Sequence, residues 1–134
     1  MFADRYQGVV SFSEIISADA TRAIVPVAGI THIESVAVFN AAAVATHATN
    51  YITFKLINLG TDGLGTTVVA SASTSQTGGS AMVAHKAFPL TVTAANKAFT
   101  DGQTIGFIYD EATTDVADSQ NVRVVVRYTQ VGAP

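Results

Sequence analysis

Three histidines, His32, His47 and His85, come first, because an imidazole can ligate a metal or carry a proton near neutral pH. None stands at HxH, HxxxH or HExxH spacing from another, so the chain contains no local metal pair. Each reads as a lone surface or strand histidine. Serines are plentiful, but no Gly-x-Ser-x-Gly elbow sets one on a sharp turn as a nucleophile. Carboxylates gather at Asp110, Glu111, Asp115 and Asp118, the oxygen donors a hard cation such as Ca²⁺ takes. That stretch lacks the glycine and closing glutamate of an EF-hand, and no spacing marks a glycosidase pair, so a solvated acidic loop is expected. Asp62-Gly63 is followed by no Gly-Lys-Ser/Thr, which makes it a turn and not a phosphate loop.

Cysteine is absent, which removes disulfides, thiolate metal sites and thiol nucleophiles together. Tryptophan is absent too. Tyr51 and Tyr109 are left as candidates for a sugar-stacking platform, and both also read as strand packing residues. The expectation is therefore no catalytic, cofactor or metal residue, and no enzyme.

The elements that would position these side chains are strands. Tyr6–Phe12, Arg22–Val27, Ile33–Phe39, Asn50–Leu59, Thr66–Ala72, Met82–His85, Phe88–Thr93, Thr104–Asp110 and Asn121–Val131 all read as strand segments. In the clearest, Ile52, Phe54 and Leu56 share one face while Thr53, Lys55 and Ile57 share the other. In the last, Val122, Val124, Val126 and Tyr128 face inward, against Arg123, Val125, Arg127 and Thr129. Strict alternation over Ile33–Phe39 puts Ile33, Ser35, Ala37 and Phe39 on one face, opposite Glu34, Val36 and Val38.

Pro26 predicts a strand end or an edge strand. The glycines of Asn58–Gly65 predict a tight turn, and Ser73–Ser80 an exposed loop. Asn40–His47 is alanine-rich but too short for a helix of its own, so a loop with at most a short helix is expected. About eight short strands with turns between them predict an all-β fold, a jelly-roll-like or Greek-key β-sandwich. A chain of 134 residues with no linker is expected to form one domain, with Met1–Arg5 as an N-terminal arm.

Only 13% of residues are charged, about half the usual share of roughly 25%. Mean hydropathy is +0.36, yet no apolar run approaches the roughly 20 residues that cross a bilayer. The start lacks the basic and apolar regions of a signal peptide. Net charge is −3 with no basic run, so neither nucleic acid nor membrane is expected as a partner. So little charge covers a surface sparingly, and such a surface is commonly hidden against other protein. Strands apolar on both faces, at Val36/Val38, Ile57 and Val125, are explained either by a covering loop or N-terminal segment or by subunit contact.

Three segments carry a family resemblance: Tyr51–Gly63 with its glycine turn, Phe88–Val92, and Val122–Tyr128. With the Ala/Thr/Val/Gly-rich, cysteine-free composition, the chain resembles the small β-sandwich decoration, or cement, proteins of tailed bacteriophage capsids over residues 20 to 131. The resemblance implies a virion structural protein that binds the major capsid protein on the outside of the shell, commonly as a trimer, and braces it. It assigns no individual residue, because such proteins bind through broad surfaces. A head-fibre base, a tail adhesin domain and a carbohydrate-binding module are the alternative readings.

Overall fold

The computed structural model describes residues 5–16, 20–112 and 120–131. In chain order its strands are β1 (Arg5–Ile16), β2 (Ala20–Pro26), β3 (Ile30–Phe39), β4 (Ile52–Asn58), β5 (Thr67–Ser73), β6 (Phe88–Val92), β7 (Ala98–Phe99), β8 (Thr104–Glu111) and β9 (Gln120–Val131). One 3₁₀ turn, Ala94–Asn96, is the sole helical element among the described residues. The expected Met82–His85 strand does not form. Met82 makes only an isolated bridge to Val44, because this stretch and the alanine-rich loop cross each other once and diverge.

Every strand-to-strand pairing is antiparallel, along the path β1-β9-β3-β6-β5-β4-β8-β2, with β7 beside β3. The path folds in the middle. β6 pairs with β3 through Phe88, Pro89 and Leu90, then with β5 through Thr91 and Val92, and so divides a β1-β9-β3-β6 layer from a β2-β8-β4-β5 layer. Successive strands cross between the layers at β1→β2, β2→β3, β3→β4, β5→β6, β7→β8 and β8→β9. This is the double Greek-key winding of a jelly roll. Pro26 ends β2, an edge strand, where its missing N–H costs no ladder bond.

Between the layers lies a core of Ile33, Val36, Val38, Ile52, Phe54, Leu56, Val69, Phe88, Leu90, Phe99, Ile105, Phe107, Tyr109, Val122, Val124 and Val126. Phe54 is its hub. Its ring centroid lies 6.0 Å from Phe88 across the sandwich, edge to face. Within its own layer it lies 6.0 Å from Phe107, stacked, and 5.7 Å from Tyr109, edge to face. These separations fall in the favourable range for aromatic pairs. Ile52, Phe54 and Leu56 face the core as the alternation predicts, and so do Val122, Val124 and Val126.

Strict alternation fails in β3, and a bulge is the reason. Ile33 lies opposite Tyr128 and Ser35 opposite Arg127, so Glu34 is an extra residue against β9. The extra residue reverses the phase of the strand. Ile33, Val36 and Val38 consequently all enter the core, while Glu34 and Ser35 are exposed. A second bulge between β4 and β5 makes Val69 the extra residue, so that neighbouring Val69 and Ala70 are both buried.

The second apolar face at Ile57 is closed by the chain itself. Gly106 lies opposite Ile57 on β8, and a Cβ there would meet Leu59 at 2.8 Å and Ile57 at 3.1 Å. The missing side chain lets Leu59 fold down onto the sheet, and both Ile57 and Leu59 are buried. The loop explanation therefore holds at this position.

The turn after β4 is built by hydrogen bonds. Gly60 N donates to Asn58 Oδ1 at 2.8 Å, Leu64 N to Asp62 Oδ1 at 2.9 Å, and Gly65 N to the Leu59 carbonyl at 2.7 Å. Gly65 packs where a Cβ would come within 2.4 Å of the Asn58 carbonyl oxygen, with main chain on every near side. Gly65→Ala should therefore destabilise the protein by about 2–3 kcal/mol. Gly63, at φ +78° with open space around it, should cost only about 1 kcal/mol as alanine. Urea unfolding of the two variants checks the order; equal losses would count against the steric explanation.

Candidate functional site

The residues singled out for chemistry are dispersed, and the backbone occupies most of them. His32 is half-buried on β3, between β7 and β9. His47 is exposed in the β3–β4 loop, where its Nδ1 accepts from Asn50 N at 2.8 Å and Thr49 N at 3.1 Å. Its backbone also ties two loops together: His47 N donates to the Thr74 carbonyl and Gln76 N to the His47 carbonyl. His47 is thus a turn cap that uses a ring nitrogen as asparagine uses its carbonyl. His85 is exposed at φ +59° and donates its N–H to the Asn40 carbonyl at 2.8 Å. Among the described residues no three of histidine, aspartate and glutamate come close enough to hold a metal.

The acidic stretch divides. Asp110 is exposed at the end of β8, and Glu111 accepts a 2.7 Å hydrogen bond from the Tyr109 hydroxyl. Asp115 and Asp118 lie outside the described residues. That bond accounts for Tyr109, whose ring is buried in the core and whose polar tip meets a carboxylate. It offers no platform to a sugar. Asp62 caps its own turn, as the Asp-Gly pair predicts. Serine hydroxyls act likewise: Ser75 N bonds Ser73 Oγ, and Thr77 N bonds Ser75 Oγ.

Tyr51 is placed differently. It lines an open groove of about 650 Å³ with Thr53, Ser71, Ser73, Ser80 and Thr91, a wall of hydroxyls that carries no charge. Two other surface features were missed by sequence patterning. Leu64, at the tip of the glycine turn, is 79% exposed. On the outer face of the β1-β9-β3-β6 layer Val9 is 54% exposed, opposite Arg127. Beside it runs a row of half-buried Val125 and Ala37 and exposed Pro89, with exposed Arg123 and Arg127 on either side. Only a leucine between two glycines, and a valine in the outward phase of β1, signalled them in the sequence. What the surface offers is broad and weakly charged.

The chain is similar to a chain of the cyanophage Pam1 capsid asymmetric unit. The two share 16% identity at a TM-score of 0.47, over 96% of this chain and 84% of that one. No protein-family model matches, and no curated protein does. No helix among the described residues is long and apolar enough to cross a membrane.

Proposed function

We propose that this chain is a non-enzymatic structural protein of a virion. In this reading it is one domain that decorates the outside of a capsid as a trimer and stabilises it by binding the major capsid protein. The observation that carries the reading is the outer face of the β1-β9-β3-β6 layer. There the Val125–Ala37–Pro89 row and exposed Val9 form an apolar strip on a stiff sheet, edged by two arginines. A decoration protein works by adding buried area across subunit junctions, which needs such a surface and no reactive group. Interfaces of standard size bury about 1,600 Å², and symmetric repetition turns a weak contact into high avidity. The jelly-roll winding supplies rigidity, and the resemblance of Tyr51–Gly63, Phe88–Val92 and Val122–Tyr128 to decoration proteins points the same way. Met1–Asp4 lie outside the described residues, and Arg5 already belongs to β1, so an arm would comprise those first four residues.

The test is co-sedimentation with expanded, undecorated shells of the cognate virus, alongside solution mass by light scattering. Saturable binding at a fixed ratio to coat protein, by a protein that is trimeric alone, is the expected result. Absence of binding to shells would sink the proposal. The hydroxyl-lined groove around Tyr51 favours one second reading, a carbohydrate-binding module. Retention on a glycan array that is lost in Tyr51→Ala, with no shell binding, would establish that reading instead.

A further inference from the structure

The tripeptide Thr-Asp-Gly occurs twice, as Thr61-Asp62-Gly63 and as Thr100-Asp101-Gly102. Both copies lie at the same end of the sandwich, in the turn between β4 and β5 and in the turn that enters β8. They are near neighbours: a Cβ on Gly102 would meet the Thr61 methyl at 3.8 Å. Both aspartates and both glycines are exposed, and the glycines share a left-handed backbone, at φ +78° and +84°. An aspartate before glycine is a reactive pair, because no Cβ shields the glycine nitrogen from the preceding carboxyl. In sequence and exposure the two sites are equal. Their hydrogen bonds are not.

At Asp101 both reacting groups are tied to the β2–β3 loop. Gly29 N donates to Asp101 Oδ1 at 2.9 Å, and Gly102 N donates to the Val27 carbonyl at 3.0 Å. The loop itself is braced by Val27 N to the Gln103 carbonyl, Thr100 N to Gln103 Oε1 and Asn58 Nδ2 to Gln103 Oε1. Carboxyl and nitrogen are therefore held on separate partners. At the other copy the Gly63 N–H has no hydrogen-bond partner among the described residues. A Cβ on Gly63 would meet nothing within 4 Å, so the peptide is open on that side. The Asp62 carboxyl is held by its own turn, with Leu64 N donating to Oδ1 at 2.9 Å. That bond keeps the carboxyl against the short stretch of main chain that contains Gly63 N.

We infer that Asp62 is a site of spontaneous isomerisation to isoaspartate, from which the fold protects Asp101. The Gly63 nitrogen bonds to Cγ of the protonated Asp62 carboxyl. Its proton and the carboxyl hydroxyl leave together as water, which closes a succinimide ring. The Leu64 N–H points at Oδ1, the oxygen that gathers charge as the ring closes, and stabilises it as an oxyanion donor does. Water then reopens the ring. Attack at Cγ restores aspartate, and attack at the Asp62 main-chain carbonyl leaves the chain running through Cβ. No oxidant or partner is needed, so the reaction runs in the isolated chain whether or not that chain binds a shell. The product lengthens the main chain by one methylene and loses the Asp62–Leu64 cap, remodelling the turn that carries exposed Leu64.

The experiment is to age the full chain at neutral pH, once folded and once in unfolding guanidinium chloride, and to follow isoaspartate at both sites. Trypsin separates them, cutting after Lys55, Lys86, Lys97 and Arg123. Enzymatic methylation of the isoaspartyl carboxyl counts the product, and electron-transfer fragmentation locates it. Opening each of the two bonds at Asp101 slows its reaction by about fivefold, so the folded protein should form isoaspartate at least about tenfold faster at Asp62. Unfolding should bring the two rates together, since the tripeptides are identical. Equal rates in the folded protein, or a faster reaction at Asp101, would overturn the inference. So would a preference for Asp62 that persists undiminished in the unfolded chain, which would trace it to Leu64 against Gln103 as the next residue and not to the fold.

Discussion

Phe54→Ala should remove about 3–5 kcal/mol of stability. A domain of this size holds about 5–15 kcal/mol in total, so the variant should lose a large part of its stability and unfold at a clearly lower urea concentration. The size of the effect follows from position. Phe54 contacts Phe107 and Tyr109 in its own layer and Phe88 in the opposite one, so its ring is shared by both halves of the sandwich. Truncation loses the transfer energy and leaves a hole that two sheets, each braced by ladder bonds, cannot close. Phe39→Ala is the control. Phe39 is only half-buried and stays outside the core, so its loss should cost less than half as much. Urea unfolding of both variants decides the matter, and equal losses would mean that the inter-layer cluster does not hold the layers together.

Deleting Ala37 should abolish folding, whereas deleting Glu34 should leave the fold in place. The pairings with β9 explain the contrast. Ile33 opposes Tyr128 and Ser35 opposes Arg127, so removing Glu34 leaves a ladder in which every other partner is unchanged. Val36 and Val38 stay in the core, and the loss is the Glu34–Thr129 hydrogen bond, about 1 kcal/mol. Removing Ala37 has no such escape. The residues beyond it shift by one, turning either Val36 or Val38 out of the core. Each buried valine is worth about 1.5–3 kcal/mol, and the pairing of β3 with β6 through Val36, Ala37 and Val38 is lost as well. Circular dichroism and a cooperative thermal transition in the first deletion, with neither in the second, is the expected pair of results. Equal tolerance of both deletions would show that β3 is not held in register by its core residues.

These two cases mark where the sequence was legible. Around Phe54 the alternation Ile52, Phe54, Leu56 is local, and the structure follows it. In β3 the same reasoning put Val36 and Val38 opposite Ile33, because a bulge is a property of two strands and leaves no mark in one of them. The candidate chemical residues were legible mainly as what they are not. The isolated spacing of His47 argued against a metal pair, but its use as a turn cap depends on the approach of Thr49 and Asn50 backbone N–H groups. Leu64 reads in the sequence as one more residue of a glycine turn, and its projection depends on the bonds of Asp62 and Gly65 around it.

By itself the sequence determined most of the strands, though neither β7 nor the failure of Met82–His85 to form one, together with the turns and the shortage of charge. Each is settled within a few residues, by side-chain alternation, by glycine and proline, and by composition. The tertiary structure decided which strands are neighbours, since that is a matter of partners more than a hundred residues apart, as with Gly8 and Tyr128. It also decided the fate of each second apolar face. Ile57 is covered because Gly106, on another strand, leaves room for Leu59, while Val9 finds no such cover among the described residues and stays exposed. Burial depends on what arrives from elsewhere in the chain, and a single strand's pattern carries no record of it.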